Sequence, residues 1–179
     1  MGTSSKELAR KLQNVAKRQH GCFTAAQAIK TGYADSVHLY HVKAEHWIRL
    51  YRGVYRLATI PATPASRCMA ALLWTRDKNG VIQGALAPET TEALASNSLG
   101  PEQPIQIVVD KKFRRSSSIP DGIEITVESD IKHKTSKISG LCVLAPASPP
   151  AKLERSHFQD INDYYDWIDY QNSRCLPHD

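Results

Sequence analysis

A chain of 179 residues, 41% hydrophobic and 23% charged, can bury a core as one ordinary domain or two small ones, so disorder is not the default reading. Cys22, Cys68, Cys142 and Cys175 are scattered without a close pair, which argues against a disulfide framework and a zinc ribbon; with no export signal and no window near the roughly 20 apolar residues of a membrane span, the expectation is a cytoplasmic protein. The net charge of +5 is graded, +7 over residues 1–60, +1 over 61–140 and −3 over 141–179, so a polyanion would dock at the N-terminal end unless the basic helix there is simply solvated.

Ser4 and Glu7 have capping-box spacing, and Leu8, Leu12, Val15 and Ala16 recur at helical intervals. They predict a first helix ending near His20-Gly21, with Gly21 as a left-handed cap. Cys22-Phe23 leaves room only for a small strand. Thr24 and Gln27 form a second capping box opening a short helix that Gly32 closes. Asp35 to Glu45 holds no Gly or Pro and predicts a third helix about 16 Å long, N-capped by Ala34 or Asp35.

A short helix, a glycine-containing turn and a longer helix have helix-turn-helix spacing, and the third helix suits a major groove. Val37, Tyr40 and Ala44 share one sector of it and Leu39 with Val42 the opposite one, so it reads as buried on two sides. The side carrying Ser36, Tyr40 and Lys43 lacks an acid and is the expected DNA face. His41, on the strip with His38 and Glu45, is a further DNA candidate or a hydrogen-bonded residue within the domain.

Residues Trp47 to Leu57 form two alternating runs around Arg52-Gly53, the signature of a hairpin or wing. With Arg52-Gly53 as turn residues, Arg49 lies opposite Arg56 on one face, and Ile48, Leu50, Tyr55 and Leu57 make the other face apolar. Like charges across a ladder are destabilising, so Arg49, Arg52 and Arg56 point to a phosphate between them, or else splay into water or pair with acids elsewhere.

The ordered strings Gly21-Cys22-Phe23-Thr24-Ala25-Ala26-Gln27-Ala28, Gly32-Tyr33, Tyr40-His41-Val42-Lys43, Trp47-Ile48-Arg49 and Arg52-Gly53-Val54-Tyr55-Arg56-Leu57 resemble the N-terminal domain of AbiEi-family antitoxins. The resemblance implies a winged helix that binds operator repeats in its own promoter and neutralises a nucleotidyltransferase-fold toxin encoded beside it. The family commonly has Ser where this chain has Ala34 and Gly where it has Glu45. In the second region the likeness thins to 87–94 and 145–148, and no antitoxicity residue is carried over.

Residues 61–66, Pro61 to Ser66, read as a linker dividing a winged helix-turn-helix domain, 1–60, from an α+β domain, 67–179. Beyond it, Met69, Leu72, Leu73 and Arg76 predict a helix, Pro88 to Leu94 another, and Ile105-Ile107-Val109 and Ile123-Ile125-Val127 two half-buried strands. Between the strands, Lys111, Lys112, Arg114 and Arg115 form a basic loop that touches an anionic partner or is solvated. Ile161, Tyr164, Tyr165 and Ile168 predict a C-terminal amphipathic helix with Asp160, Asp163, Asp166 and Asp169 on its other faces, which docks on its own domain or binds a partner.

Phosphate-loop, nucleophile-elbow and zincin motifs are absent, and His38, His41 and His46 lack a companion ligand, so no cofactor, metal or catalytic residue is expected. The overall expectation is a non-enzymatic DNA-binding autorepressor and antitoxin of α+β class, pairing on duplex operator repeats. Its competitors are a winged-helix protein-interaction module without DNA binding and a magnesium-dependent nuclease built on Glu89, Glu92, Asp110 and Lys112.

Overall fold

The structure, a computed structural model, describes residues 4–115, 117–129, 131 and 134–144. The predicted acidic helix lies outside the described residues, as does the 145–148 likeness. The chain through Leu144 forms one compact unit. Among the described residues no helix is long and apolar enough to cross a membrane.

The head opens with α1 (Ser5–Lys17), β1 (Cys22–Thr24) and α2 (Ala25–Thr31). Ser4 sits at the N-cap of α1 in extended conformation, but its side chain accepts no hydrogen bond, and Glu7 pairs instead with Lys11 at 2.9 Å. The first expected capping box is therefore not made. The second is: Thr24 Oγ1 accepts from the Gln27 amide at 3.2 Å, and Gln27 Oε1 accepts from the Thr24 amide at 2.9 Å. Gly32, at φ +114°, ends α2 as expected.

A 3-10 turn at Asp35–Val37 leads into α3 (His38–Lys43), and β2 (Trp47–Tyr51) with β3 (Val54–Leu57) completes the wing. The small sheet has the order β1-β3-β2, all antiparallel. One of its faces, Phe23, Trp47, Tyr55 and Leu57, packs on the helices through Leu12, Ala16 and Ala28. The opposite face, Cys22 and Val54, packs on α4 (Pro64–Trp74).

The segment expected to be a linker, 61–66, is helical in its second half. Thr63 and Ser66 cap each other reciprocally and Pro64 occupies the first turn, where its missing N–H costs nothing. Pro64 thus starts a helix here. Because α4 is buried on every side from Cys68 to Trp74, it serves both sheets at once.

Beyond it come β4 (Gly84–Leu86), α5 (Pro88–Ala95), β5 (Ile105–Asp110), β6 (Ile123–Glu128), β7 (Thr135–Ile138) and β8 (Leu141–Leu144). These five strands form a mixed sheet in the order β6-β5-β4-β8-β7. The two expected strands are β5 and β6, paired parallel with Ile105 against Ile123 and Asp110 against Glu128. Parallel neighbours require a crossover of about a dozen residues, and 111–122 is that crossover. The fold is α+β, a winged-helix-like head followed by a five-stranded sheet.

Candidate nucleic-acid interface

Helix α3 is short, and its orientation comes from an aromatic platform. Trp47, 3% exposed, packs edge-on against Phe23 at 5.0 Å and Tyr33 at 5.1 Å, and His41 stacks on it at 4.6 Å with rings 15° apart. His38 is buried against Trp47 and Tyr55, with Nδ1 3.4 Å from the Asp35 carboxylate. His38, His41 and Val42 thus form the inner face of α3.

Ser36, Leu39, Tyr40 and Lys43 are exposed, at the i, i+3, i+4, i+7 spacing of a single helical face. Leu39 is 60% exposed and Tyr40 63%. The expectation that Leu39 shares a buried sector with Val42 is corrected, because the aromatic histidines take the inner positions. His41 belongs to the platform: its Nδ1 lies 3.3 Å from His46 Nδ1, and burial, then His46 and His38, pull its pKa below the ordinary value. Ala34 is the N-cap of the 3-10 turn and offers no side-chain bond, and Glu45 takes the left-handed conformation, φ +55°, in which the related family commonly has Gly.

The wing turns at Arg52-Gly53 as expected, with Tyr51 opposite Val54. Gly53 needs its φ of +70°, and its carbonyl accepts from both the Ala25 amide and Arg76 Nη2, each at 3.0 Å. The register then shifts between Arg49 and Tyr51, so that Arg49 faces Tyr55 and Ile48 faces Arg56. This bulge cancels the expected pairing of Arg49 with Arg56. It also leaves Ile48 at the surface, 36% exposed, instead of on a continuous apolar face.

The three wing arginines consequently differ. Arg49 and Arg52 are exposed, and neither has an ion-pair partner among the described residues. Arg56 is buried on the α4 side of the sheet, and its Nη1 donates to the Ile60 carbonyl. Its charge is committed to closing the end of the wing.

Two arginines that sequence spacing did not connect to the wing lie beside its turn. Arg76 follows α4 and donates to Leu73 and Gly53 carbonyls at 2.7 and 3.0 Å. Arg115, from the basic crossover, lies over the Trp74 ring at 4.7 Å and donates to the Arg76 carbonyl at 3.1 Å. Their 39-residue separation left no local pattern to read.

The nuclease constellation is not assembled. Asp110 Oδ1 accepts from the Lys112 amide at 2.9 Å, an ordinary turn bond, and among the described residues no group of three or more His, Cys, Asp or Glu is placed to hold a metal.

A three-helix head with a basic two-stranded wing defines a winged-helix-like module. In agreement, residues 10–58 match the family described as transcriptional regulators, AbiEi antitoxins. The match ends at the close of the wing and leaves α4 and the five-stranded sheet outside it. No curated protein matches the chain.

Proposed function

We propose that this protein is a transcriptional autorepressor that binds duplex operator repeats in its own promoter, and an antitoxin of a nucleotidyltransferase-fold toxin. The observation that carries DNA binding is the exposed face Ser36, Leu39, Tyr40 and Lys43, held on a rigid platform beside a wing whose Arg49 and Arg52 are unpaired among the described residues. In this reading α3 enters the major groove, where Lys43 and Ser36 reach base edges or phosphate and Leu39 meets a thymine methyl. Arg49 and Arg52 hold phosphate or the adjacent minor groove. A single small head reads few base pairs, so two copies pair on repeated half-sites.

The test is binding to the promoter duplex across a salt series. Arg52→Ala weakens all sequences alike and lowers the salt slope by about 1, whereas Lys43→Ala and Ser36→Ala also relax discrimination. An unchanged affinity and slope for Arg52→Ala would remove the wing from the interface. For the antitoxin half, a nucleotidyltransferase gene beside this one, lethal alone and harmless when co-expressed, is the expected result.

One observation favours a second reading. Leu39 and Tyr40 side by side make an apolar spot that fits a protein groove, and the head would then be a protein-interaction module. Salt-independent failure to bind any duplex would select it.

A further inference from the structure

Beside the wing turn lies a cleft of about 430 Å³ lined by Arg52, Arg76, Lys78, Arg114 and Arg115, with Asp77 as its acid. Asp77 forms no ion pair with any of them among the described residues. Its Oδ1 accepts from the Asn79 and Val81 amides at 2.8 and 2.9 Å, and Oδ2 faces Gln83 Nε2 at 3.5 Å, so the carboxylate is spent on its own turn. The ion pairs among the described residues are Lys11–Glu7, His38–Asp35 and Lys134–Glu128, none of which touches the cleft.

Two of the guanidinium groups are positioned rather than loose. Arg76 is fixed by the Leu73 and Gly53 carbonyls, which accept hydrogen bonds but carry no charge. Arg115 is held by the Trp74 face, by the Arg76 carbonyl on Nη1 and by Ser117 Oγ on Nε at 3.1 Å, leaving Nη2 free among the described residues. Burial, then the neighbouring Arg115, lowers the pKa of Arg76; burial, then Arg52, lowers that of Arg115. Cations that depress one another lose part of that repulsion when an anion sits between them.

The topology explains how they meet. The parallel pairing of β5 with β6 forces the chain to travel back along the sheet through 111–122, and that crossover passes the end of α4, where Trp74 and Arg76 adjoin the wing. Arginine forks bind the oxygens of a phosphate bidentately, and guanidinium groups converging on one concave cleft from different segments match an anion that offers oxygens in several directions.

We propose that this cleft is a phosphate-binding site in which Arg115 of the crossover and Arg52 of the wing turn take one phosphate group from two sides. The five-stranded sheet thereby becomes part of the anion-binding surface. For the source of that phosphate the inference rests on the DNA-binding reading of the head: it is a backbone phosphate of the duplex held by the wing, flanking the bases that α3 reads. The other source of the same chemistry is a free polyphosphate.

The full chain is titrated with promoter duplex and, separately, with inorganic pyrophosphate at low salt. Arg115→Gln lowers duplex affinity about tenfold, the loss of one charge-assisted contact, and makes the salt slope shallower by about 1. Arg115→Lys restores the slope without restoring the full affinity, since the charge returns but the fork does not. Thermal unfolding of each variant separates these losses from lost packing on Trp74. In the wild type, pyrophosphate shifts the Nε–Hε resonances of Arg52 and Arg115, a readout that needs no variant to fold. Duplex affinity insensitive to Arg115→Gln together with a pyrophosphate effect assigns the site to a free polyphosphate. Insensitivity in both experiments overturns the site while leaving Lys43-dependent DNA binding standing. A wild type that ignores every duplex yet binds pyrophosphate overturns the DNA reading and leaves the site.

Discussion

The cluster beneath α3 is dominated by rings, Phe23, Tyr33, Trp47 and Tyr55 with His38 and His41, whereas that around α4 is, Trp74 aside, mainly aliphatic, Leu72, Leu86, Ile105, Ile107, Val109 and Val143. Both hold a helix, yet they do so to different ends. A helix of six residues cannot persist alone, and α3 is kept in place by flat rings stacked on one side, which leaves the other side open to solvent. The eleven-residue α4 is gripped all round by interdigitated aliphatic chains and has no face left to recognise anything. The contrast teaches that a helix buried on one side keeps a face free for a partner, and that its stability is supplied by the neighbour.

The sharpest way to break the head is Trp47→Ala. It withdraws the ring on which Phe23, Tyr33, His38, His41 and Tyr55 converge, and about 3–5 kcal/mol of stability goes with it in a denaturant titration. Leu72→Ala in the aliphatic cluster costs about 2–5 kcal/mol. Since Cys22 and Val54 of the small sheet share that cluster, the transition read by circular dichroism and that read by tryptophan fluorescence move together. Smaller is the contrast between two helix starts. Thr24→Ala loses about 1 kcal/mol because both capping bonds are present, while Ser4→Ala, whose hydroxyl caps nothing, stays within about 0.5 kcal/mol.

The gentlest probe is pH. His41 is held below its ordinary pKa first by burial, then by His46 and His38, so the unfolded chain binds a proton there more readily than the folded one. The stability this confers is complete above the unfolded value near 6.5 and is lost as pH falls from there through the lower folded value. The midpoint of thermal unfolding should drop over that window, and His41→Gln should flatten the drop.

Local chemistry was legible where it is self-contained. Thr24 with Gln27 needs only a three-residue spacing, the Arg52-Gly53 turn only a glycine, and β5 and β6 only a period of two. What depended on distant packing was not. The bulge beside Leu50 arises because Trp47 and Tyr55 face the helical cluster while Leu50 and Tyr51 are drawn to the α4 cluster; a single skipped residue put Ile48 instead of Arg49 opposite Arg56, and α4, packed on that face, covers Arg56. Leu39 looked like core until histidines proved the better partners for Trp47. The strands β4, β7 and β8 are three or four residues long and carry too few positions to show a period. Arg115 was visible as part of a charged run, but its place over Trp74 is a property of the crossover alone.

Glu45 offers a handle on how firmly the wing is joined to the helix before it. A residue with a β-carbon at φ +55° carries a backbone penalty of order 1 kcal/mol that glycine escapes. Glu45→Gly should therefore raise the melting temperature by a few degrees, and it also deletes the negative charge nearest in sequence to Lys43. The native residue holds this joint slightly sprung and its rim less positive than it could be, so a hardier variant with a more basic rim lies one substitution away.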